Sequence, residues 1–380
     1  MSDLERLVLL TSQMHLEPTG DDIAEPLPPG GREAITVKTA CMPNGKSIRL
    51  LKTLLSSYCE KNCTYCPFRA QRDFRRAAFT PDDFARLFIS LYERKFVEGI
   101  FLSSSILHGA VKSQDLLLDT ASILRHRYQF KGYLHLKIMP GAEKAQVEYA
   151  MRVADRLSVN LEAPHSQALS LLAPGKDLQA DLIDPLLWIE EIRQEQPPEL
   201  NWQGRWPSST TQFVVGAADE SDRDLLHTIQ NLFKNAGITR SYFSSFNPIE
   251  GTPLENLPPS PPLREHRLYQ AFFLVRDFGY KYEELAYSGS GNLPLDQDPK
   301  MVWAKANLIH NPVEINSASR KQLLRVPGIG PKRADQILSI RSKQKIKSIS
   351  SLYKAKLINS NSSSFILVDG KFPARQMNLF

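Results

Sequence analysis

Ser47-Ile-Arg-Leu-Leu-Lys-Thr-Leu-Leu-Ser-Ser-Tyr-Cys59-Glu-Lys-Asn-Cys63-Thr-Tyr-Cys66 is the stretch on which the reading of the fold turns. Ile48 to Tyr58 is rich in apolar residues and reads as a strand that ends on the first of three cysteines crowded into eight residues. The chain has four cysteines in all, the other being Cys41. Short spacings aim several sulfurs at one point, which suits a metal better than a disulfide framework. Three thiolates can take three irons of a cubane cluster and leave the fourth iron open to a substrate. The competing reading is a zinc site closed by Cys41 as fourth thiolate, because structural zinc takes four ligands.

Outward from the cysteines, strand-like and helix-like segments alternate. Thr80 is a good N-cap with Pro81 after it, and Phe84, Leu87, Phe88 and Leu91 share one face of the helix that follows. Gly99 ends the connection, and Ile100-Phe-Leu-Ser-Ser104 reads as a short buried strand. The same pattern predicts helix 113–127 and strand 132–139, helix 143–154 and strand 156–162, and helix 181–195 and strand 210–216. Helix 221–236, strand 239–246 and a closing helix 263–278 complete it. Six strand-then-helix units imply a parallel sheet, because each crossover helix returns the chain to the same edge. The expected fold class is α/β, a full or partial (β/α) barrel rather than an open doubly wound sheet. Working residues of such barrels sit at the carboxyl ends of strands, which selects Ser103, Ser104, Ser105, Lys137, Asn160, Glu162 and Gly216. Arg69, Arg72, Arg75 and Arg76 read either as phosphate contacts or as a plain solvated loop.

Residues 1–46 read as an N-terminal leader wrapping the barrel of 47–280. It has an amphipathic start (Leu4, Leu7, Leu10) and then Glu25-Pro-Leu-Pro-Pro-Gly-Gly31, which cannot continue a helix or a central strand. Loop-forming residues 288–299 place a linker at 281–313, ahead of a small helical domain at 314–358 and a tail at 359–380. Hydrophobic residues at 42% and charged residues at 23% exclude a mainly disordered or collagen-like chain. No run reaches the roughly 18 apolar residues of a membrane span, and the acidic start lacks a secretory signal, so a cytoplasmic location without a membrane partner is expected. From Glu314 to Lys356 eleven Lys and Arg face only Glu314 and Asp335, whereas the whole chain carries +6. The basicity is therefore local, as in a nucleic-acid-binding appendage or a solubilising one.

Within that basic segment, Asn316 to about Arg341 resembles a helix-hairpin-helix DNA-binding motif. A first helix ends near Arg325, Gly328-Ile329-Gly330 makes a tight turn, and Pro331 begins a second helix. The resemblance implies that Gly328 and Gly330 let the backbone approach a phosphate, with Lys332 and Arg333 adding charge. A hairpin used for protein contacts is the plainer reading. Gln376-Met-Asn-Leu-Phe380 resembles the peptide by which bacterial replication and repair proteins dock on the sliding clamp, with Gln376, Leu379 and Phe380 as its contacts.

The Cys59-x3-Cys63-x2-Cys66 spacing after a strand resembles the radical S-adenosylmethionine (SAM) superfamily. That resemblance implies a [4Fe-4S] cluster on Cys59, Cys63 and Cys66, SAM chelating the open iron, and an external electron donor for cleavage to a 5′-deoxyadenosyl radical. Tyr65 matches the aromatic residue that the superfamily places before its third cysteine, and with the strand-end residues Ser104, Ser105, Lys137, Asn160, Glu162 and Gly216 it is the expected SAM pocket. The superfamily's Gly-Gly-Glu after the second strand is absent, and serines stand in its place. With the hairpin added, the chain resembles the bacterial radical SAM family of DNA modification or repair proteins, which is associated with a uracil-DNA-glycosylase-like partner. DNA is then the implied substrate. The alternatives are an enzyme modifying RNA or tRNA, and a non-catalytic iron-sulfur DNA-binding repair accessory.

Overall fold

The computed structural model describes residues 1–16, 23–26, 35–41 and 47–372. The clamp-docking residues Gln376, Leu379 and Phe380 lie outside them, as does the Cys41 side chain.

Eight strands form the main sheet among the described residues, and their spatial order is their chain order. They are β1 (Ile23–Pro26), β2 (Thr36–Cys41), β3 (Ser47–Leu54), β4 (Gly99–Ser103), β5 (Tyr133–Lys137), β6 (Arg156–Ser158), β7 (Ser208–Val215) and β8 (Arg240–Ser245). The pairs β1 with β2 and β2 with β3 are antiparallel, and every pair from β3 to β8 is parallel. A doubly wound sheet reverses its strand order at a switch point. Here the order never reverses, so each right-handed crossover steps the same way and the sheet curls. Its two edges, β1 and β8, are not paired with each other, which makes the fold a partial (β/α) barrel.

The helices are α1 (Asp3–Ser12), α2 (Pro81–Glu93), α3 (Ala110–Ser122), α4 (Lys144–Val153), α5 (Ser166–Leu172), α6 (Asp184–Glu195), α7 (Asp222–Asn235) and α8 (Pro262–Phe278). α2 forms as its sequence dictates. Thr80 Oγ1 accepts from the Asp83 amide at 3.2 Å, and Phe84 and Phe88 are fully buried, each contributing about 1.5–3 kcal/mol. The leader has more structure than its composition indicates: α1 buries Leu7 and Leu10 against the sheet, and β1 and β2 extend that sheet by a hairpin. Pro26 is tolerated because β1 is an edge strand.

The chain divides into two compact units, Met1–Glu220 with Asn231–Pro261, and Ser221–Gln230 with Pro262–Phe380. The second unit contains α8, α9 (Pro299–Asn307), α10 (Arg320–Arg325), α11 (Pro331–Lys343), α12 (Ile349–Lys354) and a two-stranded parallel ladder, β9 (Val313–Glu314) with β10 (Ile366–Leu367). Residues 281–313, read from sequence as a linker, thus carry α9, whose Trp303 packs edge-on to Tyr280 at 5.2 Å. Arg325 lies over both rings and pairs with Glu284 at 2.9 Å.

Candidate functional site

β3 delivers the chain to the cysteine loop, and the loop is closed at its base by Ser57, whose amide donates to the Ala77 carbonyl at 2.9 Å. Arg76 organises its interior. The guanidinium donates to the carbonyls of Ser57 (2.6 Å), Phe68 (2.9 Å), Arg69 (2.6 Å) and Arg72 (3.1 Å) and lies over the Phe74 ring. Arg72 donates to the carbonyls of Pro67 at 3.2 Å and Glu250 at 2.8 Å. A guanidinium fork of five donors can serve carbonyls that no helix or strand satisfies. Arg72 and Arg76 therefore act as staples of the loop. On the other side Thr64 donates through its amide to Leu172 and through its hydroxyl to Leu171, both at 2.7 Å, which ties the loop to the end of α5.

Cys59, Cys63 and Cys66 line a cavity of about 360 Å³, a volume typical of small-molecule sites. Its wall takes residues from the carboxyl ends of strands across the parallel sheet, Leu54 of β3 through Ser245 of β8. Six flat strands would spread over about 24 Å, so this convergence is itself a product of the curl. Of the predicted pocket residues, Tyr65, Ser103, Ser104, Ser105, Lys137, Asn160 and Glu162 all line it. Gly216 does not: at φ +91° it turns the chain after β7, and its amide donates to Glu220. The Ser103 hydroxyl is buried without a partner among the described residues, an acceptor and donor left for a polar ligand.

Glu162 sits at φ +65°, a left-handed backbone that glutamate rarely adopts. The turn presents its carboxylate to Lys176 Nζ at 3.3 Å, with the two side chains only 6% and 9% exposed. Burial disfavours charge on Lys176, but Glu162 and the Cys63 and Cys66 sulfurs outweigh it and hold the ammonium above the ordinary lysine range. Tyr65 faces the same carboxylate, and burial together with that negative charge pushes its phenol well up. Burial also raises the Cys63 and Cys66 thiols, Lys176 pulling against it. The protein alone thus favours thiols, and a bound cation would have to displace their protons. No group of three Cys, His, Asp or Glu side chains among the described residues is arranged to hold a metal ion. Lys176 escaped the sequence reading because it follows α5, a short helix that the apolar pattern did not reveal.

The second unit holds the hairpin. α10 ends at Arg325 and α11 begins at Pro331, with Gly328 at φ +81° between them. A Cβ on Gly328 would fall 2.3 Å from Asn359 Oδ1 and 2.7 Å from Ser362 Oγ, so this glycine is required by packing inside the turn. A Cβ on Gly330 meets nothing within 4 Å. Arg333 reaches back to the Gly328 carbonyl, while Lys332 is exposed. Of the eleven basic side chains, Arg320 and Lys345 pair with Asp335 and Asp369, Arg325 with Glu284, and Arg333 and Arg341 hold backbone carbonyls. Lys321, Lys332, Lys343, Lys347, Lys354 and Lys356 remain exposed.

No curated protein matches the chain in sequence. Among solved structures, methylornithine synthase (PylB) is similar at 12% identity and TM-score 0.47 over 60% of this chain and 61% of that one. The FeFe-hydrogenase maturase HydG from Carboxydothermus hydrogenoformans is similar at 12% identity and TM-score 0.46, covering 60% and 51%. The radical S-adenosylmethionine methyltransferase TsrM from Kitasatospora setae is similar at 14% identity and TM-score 0.42, covering 57% and 39%. The chain thus spans between about two fifths and three fifths of the length of these proteins. Residues 309–363 match the family model described as the helix-hairpin-helix motif.

Proposed function

We propose that the chain is a radical SAM enzyme acting on DNA, in modification or repair. The observation that carries this reading is the meeting of Cys59, Cys63 and Cys66, on one stapled loop, with strand-end polar residues around one cavity. The donor set fits a [4Fe-4S] cluster: three soft sulfurs on a short loop, beside the unpartnered Ser103 hydroxyl. When bound, cluster and SAM together supply reductive cleavage of the sulfonium carbon bond, fed by an external electron donor. The chain's own residues orient and shield. Ser103 and the carbonyls of Ser104 and Ser105 accept from an ammonium in place of a glutamate, the Asn160 amide suits ribose hydroxyls, and Lys137 suits a carboxylate. Phe68, Ile106, Met139 and Phe246 line the same cavity and exclude water.

DNA enters the reading through the motif at 309–363 and the exposed lysines around it. Docking on a sliding clamp through Gln376, Leu379 and Phe380, a uracil-DNA-glycosylase-like partner and a cytoplasmic location belong to the same proposal; no helix among the described residues is long and apolar enough to cross a membrane. Loss of clamp pull-down on removing the last five residues tests the tail.

Anaerobic reconstitution tests the core. About four irons per chain are expected, lost in Cys59→Ala, Cys63→Ala or Cys66→Ala and kept in Cys41→Ala. SAM should be cleaved to 5′-deoxyadenosine, faster with DNA. Zinc in place of iron, or cluster loss in Cys41→Ala, would refute the three-cysteine site. Stimulation by tRNA alone would move the substrate to RNA, and an intact cluster without SAM cleavage would leave a DNA-binding accessory.

A further inference from the structure

Three consecutive carbonyls of the hairpin turn are each held by a side chain from a different place in the second unit. Ser362 Oγ donates to Pro327 O at 2.7 Å, Arg333 donates to Gly328 O, and Lys300 Nζ donates to Ile329 O at 2.8 Å. Lys300 comes from the first turn of α9, outside the residues 309–363 that match the motif. Its position is fixed: Asp298 caps α9 by accepting from the amides of Lys300 (2.9 Å) and Met301 (3.1 Å), and the ammonium lies 4.6 Å from the centre of the Phe278 ring of α8.

The Ile329 carbonyl and the Gly330 amide belong to one planar trans peptide unit, so they point in opposite directions. Holding the carbonyl toward Lys300 turns the Gly330 N–H the opposite way, and on the Cβ side of Gly330 nothing lies within 4 Å to obstruct an approaching ligand. That N–H makes no hydrogen bond among the described residues and stands at the N-terminus of the thirteen-residue α11. A cationic donor on the carbonyl also polarises the peptide and strengthens the N–H as a donor.

We infer that Lys300 is a positioning residue of the nucleic-acid interface, aiming the Gly330 amide at a backbone phosphate and placing a positive charge behind it. The inference rests on the nucleic-acid reading above. Asp298 is the one ionisable group among the described residues that acts on Lys300, and it opposes burial, which pulls the ammonium down to about 7. Because the charged form favours phosphate, affinity falls as pH rises through that value.

The test uses the full chain and a short random-sequence duplex, with binding read by fluorescence anisotropy between about pH 6 and 8. Lys300→Met is expected to bind roughly tenfold more weakly than wild type at the acidic end and to lose the pH dependence, the effect of one charge-assisted hydrogen bond. Lys300→Arg should keep the affinity and make it insensitive to pH. Should Lys300→Met fail to fold, Lys300→Gln, which keeps a donor but not the charge, takes its place: weaker binding than wild type at the acidic end supports the inference, and wild-type affinity overturns it. Wild-type affinity in Lys300→Met overturns it while leaving the nucleic-acid reading intact. Absence of any binding by wild type, to DNA or RNA, removes that reading and this inference with it.

Discussion

At the scale of single residues, the pair Glu162 and Lys176 makes the sharpest claim. Both side chains are nearly fully buried beside Cys63 and Tyr65, so each relies on the other as its partner. Removing one partner from such a pair typically costs about 3–5 kcal/mol, because the survivor is left as an uncompensated buried charge. Glu162→Gln and Lys176→Met should each lower stability by that order in urea unfolding, and the double variant by much less than their sum. The pH sign follows from the raised Lys176 value: its contribution is full below the unfolded lysine range of about 10.4 and fades only in strong alkali, so the variants should differ from wild type equally at pH 6 and pH 8. Asn160 and Glu162 were legible because strand ends in parallel barrels face the site. Lys176 was not, since it reaches Glu162 across fourteen residues of turn and short helix that carry no periodic signal.

At the scale of elements, the two glycines of the hairpin look alike in sequence and differ in space. Gly328→Ala must place a Cβ onto Asn359 and Ser362 while keeping φ at +81°, so it should destabilise by about 1–3 kcal/mol and lower the melting temperature of the second unit. Gly330 has φ −102° and open space above it, so Gly330→Ala should leave the melting temperature unchanged yet weaken nucleic-acid binding by crowding the phosphate approach. Calorimetry beside anisotropy separates the two. The helix-strand alternation was readable because amphipathic helices and buried strands carry opposite periods, and Thr80 and Pro81 signalled the start of α2. β1 and α5 were not: β1 runs into the Pro/Gly-rich stretch that begins at Glu25, and the seven residues of α5 make too few turns to show a helical period. The loop arginines were also opaque to sequence: their partners are carbonyls, and a carbonyl has no letter.

For the whole molecule, the count of positive charge and the count of usable charge differ. Sequence places eleven basic side chains in the segment from Glu314 to Lys356, but folding commits five of them to carboxylates or carbonyls, which leaves six exposed lysines. Binding that neutralises Z phosphates falls with salt as roughly the 0.9Z power of its concentration on duplex DNA. If about four of the exposed lysines meet phosphates, raising salt from 50 to 200 mM should weaken binding by on the order of a hundredfold, whereas full use of all eleven charges would weaken it by about a million. A slope near four therefore identifies binding through the exposed lysines. A slope near ten would mean that Arg320, Arg325 and Lys345 abandon Asp335, Glu284 and Asp369 for the nucleic acid, so that the second unit rearranges on binding. The residues outside this segment sum to a slightly negative charge, so most of the salt dependence is expected to come from the hairpin segment.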